Sequence, residues 1–211
     1  MSNPAHDPHE PCTTTSATAA TRTRDRPLDP RALAGLEGEK RTRDALAALP
    51  RMFHTYSNID VPNPRSRGGH NEADLLVAGP TALFVIEVKH HRGAVIGGER
   101  DMRWGVTRHC GGREIVEPVG NAVTQVKRLS WLLRQHFEEH GYAPWVQGVV
   151  VFSHPEVELR IDSMSVPCWR LDELVARIRA FSPKGGCSRG TLLLMERLAR
   201  ESAKRAPRIA A

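Results

Sequence analysis

The 211-residue chain carries 30 basic and 24 acidic side chains, a formal charge of +6, and is 40% hydrophobic and 5% aromatic. That length suits one ordinary domain with tails. No apolar run approaches the ~18 residues of a membrane-spanning helix. No basic patch followed by an apolar stretch marks a secretory leader. The four cysteines, Cys12, Cys110, Cys168 and Cys187, are far apart and form no Cys-x-x-Cys pair. This argues against a zinc ribbon or a disulfide framework, and a cytoplasmic setting is expected. The low aromatic content weighs against a base-stacking single-strand binder.

The basic excess is unevenly placed. Residues 1–28 hold three basic and three acidic side chains, residues 29–182 hold 20 and 19, and residues 183–211 hold seven and two. The high isoelectric point therefore reflects the C-terminal segment and is weak evidence for a nucleic-acid-binding core.

Residues 1–28 are rich in Thr, Ala, Pro, Asp and Arg without hydrophobic period, and disorder is expected there. Asp29 and Pro30 have the chemistry of a helix N-cap and first turn, with Leu28 and Leu33 at the spacing of a hydrophobic staple. That helix is expected to run to about Leu49, before Pro50. A strand over Phe53–Val61 and a polar loop over 62–71 follow. Two β-like runs, ADLLVA (73–78) and ALFVIEVKH (82–90), joined by Gly79-Pro80-Thr81, read as a hairpin. GAVIGG and the stretch near Met102–Val106 continue as a meander. A helix over Asn121–His140, strands at 145–152 and 166–169, and a helix over Leu171–Phe181 complete the core. Residues 183–211 read as a linker with a terminal amphipathic helix. The order gives an α/β domain over 29–182 with a mixed sheet flanked by helices.

The most informative segment is ALFVIEVKHH. Glu87 and Lys89 interrupt an otherwise apolar strand two residues apart. They point to the same face, about 6.6 Å apart along the chain. A buried ion costs several kcal/mol unless paired or bound to metal. The pair is therefore a salt bridge or a site, unless the strand is an edge with a wet outer face. Asp74 opens the preceding strand and can approach Glu87 across the hairpin, or it can simply cap the loop with Glu72 as the outward acid. Two carboxylates beside an ammonium suit a hard divalent cation. Glu39 shares the helical stripe of Leu36, Leu46 and Leu49, with Gly35 one turn earlier to allow close approach to a strand. Gln125 shares the stripe of Leu129 and Leu132, and both polar residues are expected to point inward. His90-His91 and His109-Cys110 are weaker metal candidates without partner spacing. GGREIV reads as an ordinary turn.

The chain resembles the NERD, or nuclease-related, domain family of the broader restriction-endonuclease-like PD-(D/E)xK group. The resemblance rests on GLEGE (35–39), EADLLVAGP (72–80), FVIEVKHHRGAV (84–95), Trp104, NAVTQ (121–125) and GVVVF (148–152), covering about 30–180. Ala122 stands where the family usually has Pro. The resemblance implies a metal-dependent phosphodiesterase core. Asp74 and Glu87 would be metal ligands for Mg²⁺ or Mn²⁺. Lys89 would sit near the attacking water and the phosphate, Glu39 would be an accessory acid, and Gln125 would position water or phosphate. The implied partner is DNA, with Arg65, Arg67, Arg92, Arg100 and Arg103 as candidate contacts on loops near the site. The competing expectation is a non-catalytic nucleic-acid-binding or scaffold module that keeps the fold.

Overall fold

The computed structural model describes residues 29–110, 113–163, 165–182 and 185–205. The expectations for residues 1–28, including Leu28, lie outside these residues, as do the side chains of His109 and Cys110.

Helix α1 (Pro30–Leu46) starts as the sequence predicts, with the Asp29 carboxylate accepting from the Arg31 N–H at 3.0 Å. It ends three residues before Leu49. Strand β1 (His54–Pro62) pairs antiparallel with β2 (His70–Ala78). Strand β2 turns at Gly79 into β3 (Leu83–Lys89), the expected hairpin. Strands β4 (Gly93–Gly98), β5 (Arg103–Cys110) and β6 (Arg113–Gly120) follow as an antiparallel run. Helix α2 (Ala122–Glu139) is capped by Asn121. Strands β7 (Val146–Phe152), β8 (Val157–Asp162) and β9 (Cys168–Arg170) precede a 3₁₀ turn (Leu171–Glu173), α3 (Leu174–Ala180) and α4 (Arg189–Arg205).

The strands form two mixed sheets among the described residues. The first has the order β1-β2-β3-β7-β9, antiparallel up to β3 and parallel beyond it. The second has the order β6-β5-β4-β8. The expected meander is thus a separate sheet, and residues 113–116, expected as part of the GGREIV turn, belong to its edge strand β6. Pro118 is tolerated there because an edge strand does not need every N–H.

One face of the first sheet packs Phe84, Ile86, Val88, Val149 and Val151 against Leu46 of α1 and Leu174 and Ile178 of α3. The other face packs Val85, Val150 and Phe152 against α2, α4 and the apolar side of the second sheet. Strand β3 is therefore central, with β2 on one side as far as Ile86 and β7 on the other through Lys89, and Glu87 is buried rather than on a wet outer face.

Helix α1 keeps part of its expected stripe: Leu46 is buried and Leu49 packs on the core, but Leu36 does not. Leu36 is 53% exposed and Leu33 50%, while Gly38, Thr42 and Leu46 are buried. The small residues Gly38 and Thr42, in place of Leu36, let this helix lie close to the sheet. Gly35 stands in open space, and the close approach is at Gly38. A Cβ there would lie 2.7 Å from Ser153 Oγ. Helix α4 buries Leu194, Met195 and Leu198 and packs on β1. Its Ser202 hydroxyl accepts from the Asp60 N–H at 2.8 Å.

Candidate active site

The site forms where β2, β3, α1 and α2 meet. The β2–β3 ladder's final pair is Leu75 with Ile86, so Asp74 and Glu87 occupy the next step on one face. Beyond that step the Val88 N–H lacks a ladder partner on β2. The Asp74 carboxylate takes it at 2.8 Å, which fixes the acid where the β2–β3 ladder ends, in the middle of β2 rather than at its start as the sequence suggests, because β2 begins at His70.

Glu87 is 1% exposed. Its Oε1 accepts from the Lys89 ammonium at 2.6 Å, and the ammonium lies 3.4 Å from Gln125 Oε1. The other oxygen, Glu87 Oε2, is buried and has no hydrogen-bond partner among the described residues. Burial, and then the nearby Asp74 charge, push the Glu87 carboxyl up to about 7 although Lys89 pulls it down. Asp74 is also raised, by burial, against the Val88 N–H and Lys89. Glu39 is raised by burial and then by the charges of Asp74 and Glu72. The structure thus brings Glu39, Asp74, Glu87, Lys89 and Gln125 into one electrostatic neighbourhood, with more carboxylates than cations.

Gln125 corrects the expectation of an inward residue. It is exposed, on the border of the buried line Val126, Leu129, Leu133. It lines an open cleft of about 600 Å³ with Glu72, Arg100, Met102, Thr124 and Arg128. The cleft adjoins the site through Gln125, whose Oε1 lies 3.4 Å from the Lys89 ammonium, while Asp74, Glu87 and Lys89 do not themselves line it. Its rim is held firmly. The Asn121 amide donates to the carbonyls of Gly98, Glu99 and Asp101, pinning the β4–β5 turn to the start of α2. Sequence reasoning missed Asn121's second role and Arg128, although Arg128 lies three residues, one helical turn, beyond Gln125.

The candidate arginines are dispersed. Arg100 lines the cleft, and Arg103 starts β5 beside it. Arg65 and Arg67 lie exposed on the β1–β2 connection. Arg92 lines a different groove and is paired with Glu156 at 2.8 Å. His90 turns away from the carboxylates, with Nδ1 2.8 Å from Ser153 Oγ.

Among the described residues no three His, Cys, Asp or Glu side chains form a ready-made metal cage. Magnesium does not require one, since it keeps several waters and binds through one or two carboxylates plus substrate phosphate. A buried carboxylate oxygen without a partner, beside a second carboxylate, fits such an ion. The all-oxygen donor set does not suit zinc.

A mixed α/β core with acids on two adjacent strands, Asp74 and Glu87, and a lysine on its central strand defines a nuclease-like class of domain. The chain belongs to the NERD, nuclease-related domain, family, whose model matches residues 34–153 and so includes all five residues of the site. It is 28% identical over 104 residues to an uncharacterized protein of Bacillus anthracis, covering 48% of this chain and 47% of that protein. The chain thus spans about half the length of the curated relative it matches. No solved structure matches it significantly. No helix among the described residues is long and apolar enough to cross a membrane.

Proposed function

We propose that the protein is a metal-dependent nuclease that hydrolyses DNA phosphodiester bonds at the Asp74–Glu87–Lys89 site, with Mg²⁺ or Mn²⁺ as cofactor. The observation that carries this reading is Glu87. A carboxylate buried in a central strand, with one oxygen unpartnered and Asp74 at its side, is costly unless a cation neutralises it.

Asp74 and Glu87 would hold the ion, with Glu39 close enough to bind one of its waters. When bound, the ion would neutralise charge on the phosphate and lower the pKa of a bound water. The protein's own groups do the rest. The Lys89 ammonium, braced between Glu87 and Gln125, offers its remaining N–H to a phosphate oxygen as negative charge builds there. Gln125 turns Oε1 to Lys89, which leaves its amide N–H₂ to hold a phosphate oxygen or a water on the cleft side. Arg100 and Arg128 lie on the walls where the flanking phosphates would run. The partner is DNA, drawn by these guanidiniums more than by net charge.

The test is cleavage of plasmid and single-stranded DNA with Mg²⁺, with Mn²⁺ and with EDTA. Cleavage supported by either ion, stopped by EDTA and absent in Asp74→Asn and Glu87→Gln, is the expected result. DNA binding without cleavage under any ion would point instead to the scaffold or binding role. Cleavage that persists in both variants removes the metal assignment.

A further inference from the structure

We propose that a single nucleic-acid strand extending from the cleft runs along the outer face of α2 and stacks a base on Trp131. This rests on the nuclease reading above and specifies the form of substrate. The outer stripe of α2 is Thr124, Arg128, Trp131 and Gln135, spaced four, three and four residues apart, which places them on one side of the helix. Thr124 and Arg128 line the cleft of the site. Trp131 and Gln135 line a second groove of about 250 Å³, with Pro62, Pro64 and Arg65. The two grooves meet where Asn63 of the second donates to Asn71 of the first. From Gln125 to Trp131 the helix rises about 9 Å.

Trp131 is 51% exposed, whereas Trp104 is buried at 2%. The apolar face of α2 is already complete without it, since Val126, Leu129, Leu133 and Phe137 are all buried. Among the described residues Arg65, Arg100 and Arg128 make no ion pair, in contrast to Arg92, which Glu156 holds. Uncommitted guanidiniums on either side of an exposed indole supply phosphate contacts and a stacking surface together. A duplex cannot use the ring, because its bases are already stacked on one another. The low aromatic content rules out a long stacking platform but not a clamp on one base.

The experiment measures binding of the full-length chain to labelled oligothymidylate and to a duplex of equal length, by fluorescence anisotropy in EDTA. Trp131→Ala should weaken single-strand binding about tenfold and leave duplex binding within about twofold. Trp131→Phe should retain most of the single-strand affinity. Arg128→Gln should weaken both forms and flatten the salt dependence by about one phosphate. Equal losses for both forms in Trp131→Ala, or no loss, overturn the proposal, as does a wild-type chain that binds neither. DNA cleavage that is metal-dependent but indifferent to Trp131 removes the track and leaves the nuclease reading. Selective loss of single-strand binding in a protein that cuts nothing supports the track and removes the nuclease reading.

Discussion

Gly38 of α1 and His90 at the end of β3 are so close that a Cβ on the glycine would lie 2.8 Å from the Cβ of the histidine. The same Cβ would press on Ser153, so relief by side-chain motion alone is blocked on two sides. The contact fixes the height of α1 above the sheet and thereby the position of Glu39, its next residue. Gly38→Ala should therefore cost about 1–3 kcal/mol through overpacking. It should lower cleavage as Glu39 moves away from Asp74. Gly35→Ala, in open space, should stabilise the helix by about 0.5–1 kcal/mol. Thermal melts of the two variants check this, and equal melting temperatures would refute the tight contact.

Glu87 predicts the pH dependence of stability. In the folded chain it gains a proton near pH 7, against an ordinary glutamate value of 4.5 when unfolded. Between those values the folded state holds more protons, so stability should fall as pH rises from 4.5 to about 7. Glu87→Gln should flatten that part of the profile. Above pH 7, Mg²⁺ should raise the melting temperature of the wild type but not of Glu87→Gln or Asp74→Asn. A wild-type melt indifferent to Mg²⁺, with a pH profile shared by Glu87→Gln, would remove both arguments.

Helix α4 is a stability element by its packing. Met195 is fully buried in the core cluster that also holds Tyr56 of β1 at its margin. Met195→Ala should cost about 2–5 kcal/mol. Deleting residues 186–211 should lower the melting temperature by several degrees or more. The contribution of this basic segment to DNA affinity is then best read from Arg200→Gln with Lys204→Gln, which leaves the packed face intact. If these two residues touch DNA, their loss should reduce the salt slope by up to about two. An unchanged melt in Met195→Ala would contradict the packing.

Burial, with a smaller push from the Glu99 charge, raises the Cys168 thiol to about 12, and burial raises Cys187 to about 11. Both are protonated at pH 8 and poor nucleophiles. In a Cys12→Ser/Cys110→Ser background, a thiol reagent at pH 8 should label the folded protein slowly. Two thiols should appear at once in denaturant. Fast labelling of the native protein would show that one of these sites opens readily.

The parts legible in the sequence are those where one residue contradicts its surroundings or where turn chemistry is strong. Glu87 and Lys89 stand out because a central strand otherwise admits only apolar side chains. The Gly79-Pro80-Thr81 turn then fixes which acid of β2 comes opposite. The face of α1 was only partly legible, because hydrophobic spacing finds Leu46 and Leu49 but also favours Leu36, while the close contact is made by Gly38 and Thr42. Close packing by small residues leaves little trace in a pattern of large ones. Strand β6 escaped for the opposite reason. As an edge strand with mostly exposed side chains it needs no apolar alternation, and its pairing with β5 is a backbone matter. Gln125 was half legible: its helix and its proximity to Lys89 follow from spacing, but a shift of one position around the helix moves it from core to cleft wall.

The two-sided pairing of β3 with β2 and β7 also bears on how the site fluctuates. Amide protons of Val85 and Ile86 are held in a central strand with both faces covered, so hydrogen exchange there should proceed mainly by opening of the whole domain. The backbone that carries Glu87 and Lys89 continues from that doubly paired stretch and stays paired with β7 on one side, with the Asp74 carboxylate holding the Val88 N–H on the other. Any flexibility that admits substrate or releases product belongs to the cleft walls. Exchange protection should step down from β3 to the 62–69 connection, and the difference between them measures how much of the site is scaffold and how much is gate.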